Sequence, residues 1–481
     1  MMEKILFEIV KHKEKRLKQF GPACGEIIPV KRNVPLITPE LAKGIIICEI
    51  KRRSPSEGKI QSIDEPCTLA HTYASGGADA ISVLTERDHF NGSLRDMIEI
   101  KSNLPQIPVL RKDFIIHPDE IEVSFRCGAD MVLLIAAVFI DEPQGKIKFE
   151  TLYRKILSFG LLPLVEIHNE RELAFIRDFK PALIGINSRD LKTFQINRST
   201  PHALRERVKG GHVLYESGIH DEKDAFFPGI SDFSGLLVGT AIVKAENRVE
   251  KIRTIKKGFF RGKKAKSDFY RKLLNTYSEK AQTLVKICGI TNLKDLQLIS
   301  ELGADICGFI LADSPRQISL SKLQELSRYA NEKMLRVAVV TPDSLEKGIQ
   351  AVKDGVVDAI QVHGTNGEQT EVCYYNAKNV QSVREIHETR EPFVLYDAFE
   401  TGKYGGTGKK LSEEIIEAIE TVQPFYGLAG GITPENISSI IQTHTPLLVD
   451  ICSGVERSPG LKDESKLRQL FKIIRKRGTD R

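Results

Sequence analysis

No stretch of this chain is apolar for long enough to cross a bilayer. The longest such run, Met131 to Ile140, falls well short of the ~20 residues a spanning helix needs. It reads instead as a buried strand with the loop after it. The N-terminus mixes Glu3 and Lys4 into its first residues and lacks the apolar core of a secretory signal. A cytoplasmic protein without a membrane partner is therefore expected. No Cys-x-x-Cys pair occurs among the eight cysteines (Cys24, Cys48, Cys67, Cys127, Cys288, Cys307, Cys373 and Cys452), and the histidines are scattered. This argues against a metal site and makes reduced thiols the expectation. Tryptophan is absent, which by itself excludes nothing. A large excess of either charge is missing too. The net charge is +6, and much of it sits in residues 251–280, where eleven Lys and Arg meet two acids. A solvated basic helical linker accounts for that stretch without a nucleic-acid partner.

What the chain does have is length and alternation. Its 481 residues exceed one ordinary core and suit two barrels of about 250 residues each. A hydrophobic fraction of 41% beside 28% charged residues belongs to a globular chain. Short β-branched runs alternate with helical stretches at 45–51, 80–85, 108–113, 131–137, 162–167, 183–188, 212–217 and 235–240. A second series lies at 284–289, 305–311, 335–340, 359–364, 380–386, 392–398, 425–431 and 446–453. Continuous apolar strands separated by helices indicate parallel sheets buried on both faces. Eight repeats in each half indicate closure, so the pattern predicts an α/β fold of two consecutive (β/α)8 barrels. Lys4 to Phe20 reads as a helix that Gly21-Pro22 ends. The expected organisation is a first barrel over 1–250 with an N-terminal extension over 1–43, a linker over 251–282 divided by Gly258 and Gly262, and a second barrel over 283–481.

Each half closes on a Gly-rich pair of turns. The first is Glu216-Ser217-Gly218-Ile219 with Val238-Gly239-Thr240, and the second is Gly430-Gly431-Ile432 with Ser453-Gly454-Val455. Small residues with free backbone N–H groups after the last two strands of a barrel form a phosphate cradle. Above the first cradle, the strand ends deliver Glu49 and Lys51, Lys112, Glu166, Asn187 and Arg189, and Glu216. Any one such charge could belong to a salt bridge at the barrel rim. Two lysines and three carboxylates over one cradle point to acid–base chemistry, because such groups shift each other's pKa values.

These residues lie in Glu49-Ile-Lys-Arg-Arg-Ser-Pro-Ser, Leu84-Thr-Glu-Arg-Asp-His-Phe-Asn-Gly-Ser, Val109-Leu-Arg-Lys-Asp-Phe-Ile, Gly185-Ile-Asn-Ser-Arg-Asp-Leu and Tyr215-Glu-Ser-Gly-Ile. In this order the segments resemble indole-3-glycerol-phosphate synthase over about 40–245. The resemblance implies that Lys112 is the general acid that activates the substrate ketone for ring closure. It implies that Lys51 contacts the anthranilate carboxylate and is a second candidate for the acid, and that Glu166 assists the later proton transfers. Glu49, Asn187 and Glu216 would position these groups and the substrate hydroxyls, and Arg189 would bind substrate. Ser54, Ser217, Gly218, Gly239 and Thr240 would line the phosphate. Phe90, Phe114 and Leu133 would wall the aromatic ring.

The second half opens with Val285-Lys-Ile-Cys-Gly-Ile-Thr. An inward cysteine taken alone is most often a small buried hydrophobe. Here Leu395-Tyr-Asp-Ala places Asp397 across the mouth, followed by the loop 404–409. A Cys and an Asp so placed can act as base and acid, given a lowered thiol pKa. With Leu428-Ala-Gly-Gly-Ile-Thr-Pro-Glu-Asn and Val449-Asp-Ile-Cys-Ser-Gly-Val, this half resembles phosphoribosylanthranilate isomerase over about 283–475. The resemblance makes Asp397 the acid that opens the ribose ring and Cys288 the base at C2. Arg316 would hold the anthranilate carboxylate and His363 shape the pocket near the ring. Asp450 would bind a sugar hydroxyl, and Gly430, Gly431, Ser453 and Gly454 the phosphate. Cys452 stands where that family usually has Ser; if a hydroxyl binds phosphate there, the change costs about 1 kcal/mol. Together the resemblances imply a bifunctional enzyme of tryptophan biosynthesis, monomeric, without metal or cofactor, acting on phosphorylated anthranilate-sugar substrates.

Overall fold

The computed structural model describes residues 3–55, 57–190, 195–265, 268–280, 282–364, 371–398 and 411–475. Two compact units divide the chain, Met1–Lys264 and Ala265–Arg481. Each contains a closed sheet of eight parallel strands.

The strands of the first unit are β1 (Ile45–Ile50), β2 (Ala80–Leu84), β3 (Val109–Lys112), β4 (Met131–Ile135), β5 (Leu162–Ile167), β6 (Leu183–Asn187), β7 (His212–Glu216) and β8 (Gly235–Val238). They pair in chain order, and β1 closes the ring by pairing with both β2 and β8. Side chains alternate along a strand, so each strand serves two cores. Ile46, Cys48 and Ile50 of β1 face outward into the shell of helices. Ile45 and Ile47 face inward with Leu110, Leu133, Leu164, Leu214 and Leu237. The barrel centre is therefore an apolar plug, and whatever follows in the same alternation emerges at the mouth.

The N-terminal helix Glu3–Phe20 is held by a buried charge. Lys13 lies 2.9 Å from both Asp113 and Glu120, and Arg111 and Thr85 hold the other Asp113 oxygen at 2.8 and 2.7 Å.

The basic stretch departs from the expected linker. Arg248–Lys264 is one continuous helix of the first unit, with Ile252, Ile255 and Phe259 buried. Gly258 and Gly262 do not break it. They face the helix Glu222–Ile230, where an added Cβ would stand 2.2 Å from the Glu222 carbonyl oxygen and 2.1 Å from that of Phe226. The glycines permit two helix backbones to touch. The next helix, Phe269–Lys280, belongs to the second unit.

The second unit contains β9 (Leu284–Cys288), β10 (Ile306–Ile310), β11 (Leu335–Val340), β12 (Ala359–His363), β13 (Tyr374–Val380), β14 (Val394–Ala398), β15 (Tyr426–Leu428) and β16 (Leu448–Ile451). β9 pairs with β10 and β16 to close the ring. The expectation of a strand at 380–386 is corrected. The strand lies earlier, at Tyr374–Val380, and a short turn at Val383–Glu385 follows it. Asn376, Lys378 and Asn379 interrupt its apolar pattern, which hides it from a search for apolar runs. Among the described residues, no helix is long and apolar enough to cross a membrane.

Candidate active sites

The first site crowns the apolar plug of the first barrel. Alternation continues from Ile47 to Glu49, from Leu110 to Lys112, from Leu164 to Glu166 and from Leu214 to Glu216. Four charged side chains therefore meet above one hydrophobic floor. Lys112 Nζ lies 2.8 Å from Glu166 Oε2 and 3.1 Å from Glu216 Oε2. Asn187 Nδ2 donates to Glu166 Oε1 at 3.4 Å, and Lys51 Nζ lies 2.8 Å from Glu49 Oε2.

The two carboxyls that share Lys112 are held in different states. Burial opposes the charge on Lys112, but Glu166 and Glu216 outweigh it and keep the ammonium protonated well above the usual lysine range. Burial also opposes ionisation of Glu166, yet Lys112 and then His168 hold its carboxyl well below the usual range. At Glu216, burial pushes the carboxyl up to about 8, with Lys112 pulling it down and Glu166 pushing it further up. Its Oε1 is buried without a hydrogen-bond partner. Gly185 makes room for it, since a Cβ there would stand 1.9 Å from that oxygen. Paired carboxyls with opposed protonation are the arrangement from which separate acid and base roles arise.

The remaining first-half residues from the sequence line the same cavity: Ser54, Phe90, Phe114, Leu133, Arg189, Ser217, Gly218, Gly239 and Thr240. Phe90 and Phe114 face each other with ring centroids 6.1 Å apart. Ser217 and Gly218 follow β7 with φ of 68° and 74°, a left-handed pair of the kind that turns successive N–H groups toward one point. Gly239 sits against Glu49, whose Oε2 would be 2.6 Å from a Cβ.

The second site is built the same way from different chemistry. Lys286 precedes Cys288 on the inner face of β9. Its Nζ lies 2.5 Å from Asp450 Oδ2 and 2.6 Å from Gln361 Oε1. Tyr375 donates to the same Gln361 oxygen at 3.0 Å, which leaves the Gln361 amide to meet His363 Nε2 at 2.8 Å. Burial, then Lys286, pushes His363 down to about 4, so the ring is neutral. Asp397 goes the other way. Burial, then Asp450, pushes its carboxyl up to about 7, and its Oδ1 is buried without a partner. Gly430 and Gly431 have φ of 87° and 57°. Cys288, Asp397, Arg316, His363, Gly430, Gly431, Asp450, Ser453 and Gly454 all line one cavity. The loop 404–409 lies outside the described residues.

With the geometry of both mouths in place, comparison with known proteins separates them. The family model described as indole-3-glycerol phosphate synthase matches residues 10–255. The chain belongs to the indole-3-glycerol phosphate synthase family. The model described as N-(5'phosphoribosyl)anthranilate isomerase matches residues 285–473. A synthase-family half is thus followed by an isomerase-family half, one per barrel. An indole-3-glycerol phosphate synthase of Bacillus mycoides is 35% identical over 249 residues, 51% of this chain and 95% of that protein. A tryptophan biosynthesis protein of Helicobacter pylori is 29% identical over 448 residues, 90% of each chain. A multifunctional tryptophan biosynthesis protein of Schizosaccharomyces pombe is 32% identical over 484 residues, 90% of this chain and 60% of that protein. The chain therefore spans about 60% of the length of that multifunctional relative.

Several functional neighbours escape a reading of the sequence. In the synthase-family half, His168 Nε2 lies 3.3 Å from Glu166 Oε1 and its Nδ1 3.0 Å from Glu172 Oε2. Burial opposes its charge, but the Glu166 and Glu172 carboxylates on either side raise it to about 10. The His-to-Glu spacing of four residues was the available signal. Glu57 also went unassigned. It accepts from Thr240 Oγ1 at 3.1 Å, lies 2.9 Å from Lys244 Nζ, and has Arg189 at 3.8 Å. A carboxylate thus stands against Thr240, which the sequence reading assigned to the phosphate, and near Arg189, which it assigned to the substrate. In the isomerase-family half, Arg316 is already engaged, with three contacts of 2.8–3.0 Å to Glu456.

The thiol condition set by the sequence is also corrected. Cys288 is raised, first by its interaction with Cys452 and then by burial, with Lys286 pulling the other way. The lowered thiol is Cys452, through the same interaction and then, against burial, through Lys462 and Arg316.

Proposed function

We infer that the chain performs two consecutive steps of tryptophan biosynthesis. The isomerase-family half converts N-(5-phosphoribosyl)anthranilate to 1-(2-carboxyphenylamino)-1-deoxyribulose 5-phosphate. The synthase-family half closes that product to indole-3-glycerol phosphate with loss of CO2 and water. The observation that carries this reading is that each barrel mouth holds its own acid–base set beside its own Gly-rich turns, and the two sets differ.

In the isomerase-family half, Asp397 is the acid. A carboxyl that titrates near 7 can hold a proton at neutral pH and release it to the ribose ring oxygen, opening the ring to an imine. Cys288 then removes the C2 proton. For that, its own proton must leave first. Lys286, two residues earlier on the same face, is the cation that favours the Cys288 thiolate. Neutral His363 and the Lys286–Asp450 pair shape the polar side of the pocket.

In the synthase-family half, Lys112 donates to the ketone oxygen and makes its carbon electrophilic toward the aromatic ring. Lys51 engages the carboxylate that leaves as CO2. Glu166, ionised beside Lys112, accepts protons in the steps that follow, and Glu49, Asn187 and Glu216 hold the substrate hydroxyls. Phe90 and Phe114 give the ring an apolar wall.

The test is to supply the purified chain with N-(5-phosphoribosyl)anthranilate alone. Indole-3-glycerol phosphate and CO2 should form without another enzyme. Accumulation of the aminodeoxyribulose phosphate without indole would remove the synthase assignment, and unchanged substrate would remove the isomerase one.

A further inference from the structure

The cysteine at 452 has a consequence beyond the reaction. β9 and β16 are adjacent parallel strands with Lys286 opposite Asp450 and Ile287 opposite Ile451. One residue further on, β9 ends at Cys288 and Cys452 follows the end of β16, so the two cysteines lie at neighbouring strand ends. Neighbouring strands lie about 4.8 Å apart, inside the range of about 4.4–6.8 Å between Cα atoms that a disulfide spans. Alternation turns Cys288 to the side on which Lys286 meets Asp450, toward the mouth, and both cysteines line the cavity there. The Cys452 sulfur leans toward the chain of its neighbour, 3.1 Å from where a Cβ on Gly289 would be. The Cys452 Sγ lies 3.9 Å from Glu456 Oε1, and the Cys288 Sγ stands 2.8 Å from where a Cβ on Gly308 would be, so both sulfurs sit at the cavity wall.

We propose that Cys288 and Cys452 form a reversible disulfide that switches off the isomerase-family half while leaving the synthase-family half running. The oxidant is an external hydroperoxide. The Cys452 thiolate attacks one peroxide oxygen, an S–O bond forms, the O–O bond breaks, and the leaving hydroxide takes up the proton that the Cys452 thiol released on ionising, forming water. The Cys288 sulfur then attacks the Cys452 sulfur. An S–S bond forms, the S–O bond breaks, and the Cys288 proton leaves with the hydroxide as water. Two thiols and one hydrogen peroxide become one disulfide and two waters, each sulfur giving up one electron.

Several observations favour this order. Lys462 Nζ lies 3.2 Å from the Cys452 carbonyl oxygen and 3.0 Å from Glu456 Oε1, so a cation stands beside the residue that must ionise. Glu456 Oε1, 3.9 Å from the Cys452 sulfur, opposes the thiolate, while Lys462 and Arg316 favour it; of the two cavity-lining thiols, the one favoured as thiolate oxidises first. Cys288, 5% exposed, is the resolving partner. In the disulfide it can no longer take a proton, and the turn that begins at Ser453 is tied to the end of β9. No cysteine lines the first cavity, so the synthase-family half has no thiol for peroxide to reach there.

The consequence for turnover rests on the isomerase reading above; the crosslink itself does not. The full chain is therefore treated with hydrogen peroxide and divided for two measurements. Peptide mass mapping should find the Cys288 peptide joined to the Cys452 peptide with loss of two hydrogens. Isomerase turnover should fall in proportion to the joined fraction, synthase turnover should stay, and dithiothreitol should restore the first. Cys452→Ser, compared with its own untreated rate, should lose the reversible component. Finding these two peptides unjoined under peroxide that oxidises other cysteines overturns the proposal. A joined pair with undiminished isomerase turnover keeps the disulfide and instead removes Cys288 from the isomerase reaction.

Discussion

A single carboxylate marks the first mouth at the residue scale. Glu57 is held ionised: burial opposes its charge, but Lys244 and Thr240 outweigh that. Because its partners are those that a phosphate would use, the side chain competes with substrate. Glu57→Gln removes the charge and keeps the shape. The account expects KM of the synthase reaction to fall severalfold with kcat little changed, the size of one charge-assisted hydrogen bond of about 1–2 kcal/mol. Steady-state kinetics decides it, and a raised KM would show that Glu57 organises Lys244 for the substrate instead. Asp397 gives a second residue-level expectation. Its carboxyl moves from 3.8 to about 7 on folding, so the folded chain binds that proton more tightly than the unfolded one. Stability must then fall as pH rises through that window. Asp397→Asn carries no such proton, so its Tm relative to the parent should be higher at about pH 8 than at about pH 4. A Tm difference that does not change with pH would mean that Asp397 is already ionised at neutral pH. Most of these side chains were legible beforehand because barrel chemistry sits at strand ends and alternation says which residue turns inward. Glu57 was not, because it lies beyond β1 in a segment whose path no periodicity records. Lys286 could have been found, two residues before Cys288 on the same face.

Elements were legible where their pattern was apolar and ambiguous where it was not. Fifteen of the sixteen barrel strands lie within the runs that alternation marked. The exception, β13, carries Asn376, Lys378 and Asn379, and the apolar run just after it drew the assignment. The basic helix Arg248–Lys264 shows the converse problem: charge and glycine suggested a broken linker, whereas the glycines record a close helix crossing that only the fold reveals. That crossing is testable. Ala is the better helix former by about 1 kcal/mol, so propensity alone makes Gly262→Ala stabilising. With its Cβ 2.1 Å from the Phe226 carbonyl oxygen, the two helices must instead spread, at a cost of about 1–3 kcal/mol. The denaturant midpoint of the first unit should fall, and a midpoint that rises would show the crossing to be looser than described.

The whole chain repeats one architecture and varies its chemistry. Both units close eight parallel strands in chain order around an apolar centre, and both place Gly-rich turns after the last two strands. What differs is the layer of side chains that emerges above: Lys112 between two glutamates in one, a thiol pair with a buried aspartic acid in the other. If this division is correct, the two half-reactions can be removed one at a time in the intact chain. The direct measurement is to make Lys112→Ala and Cys288→Ser separately and assay both half-reactions in each full-length variant. Lys112→Ala should lose ring closure and keep isomerisation, and Cys288→Ser should lose isomerisation and keep ring closure. Either variant leaving its own half-reaction unchanged would contradict the account.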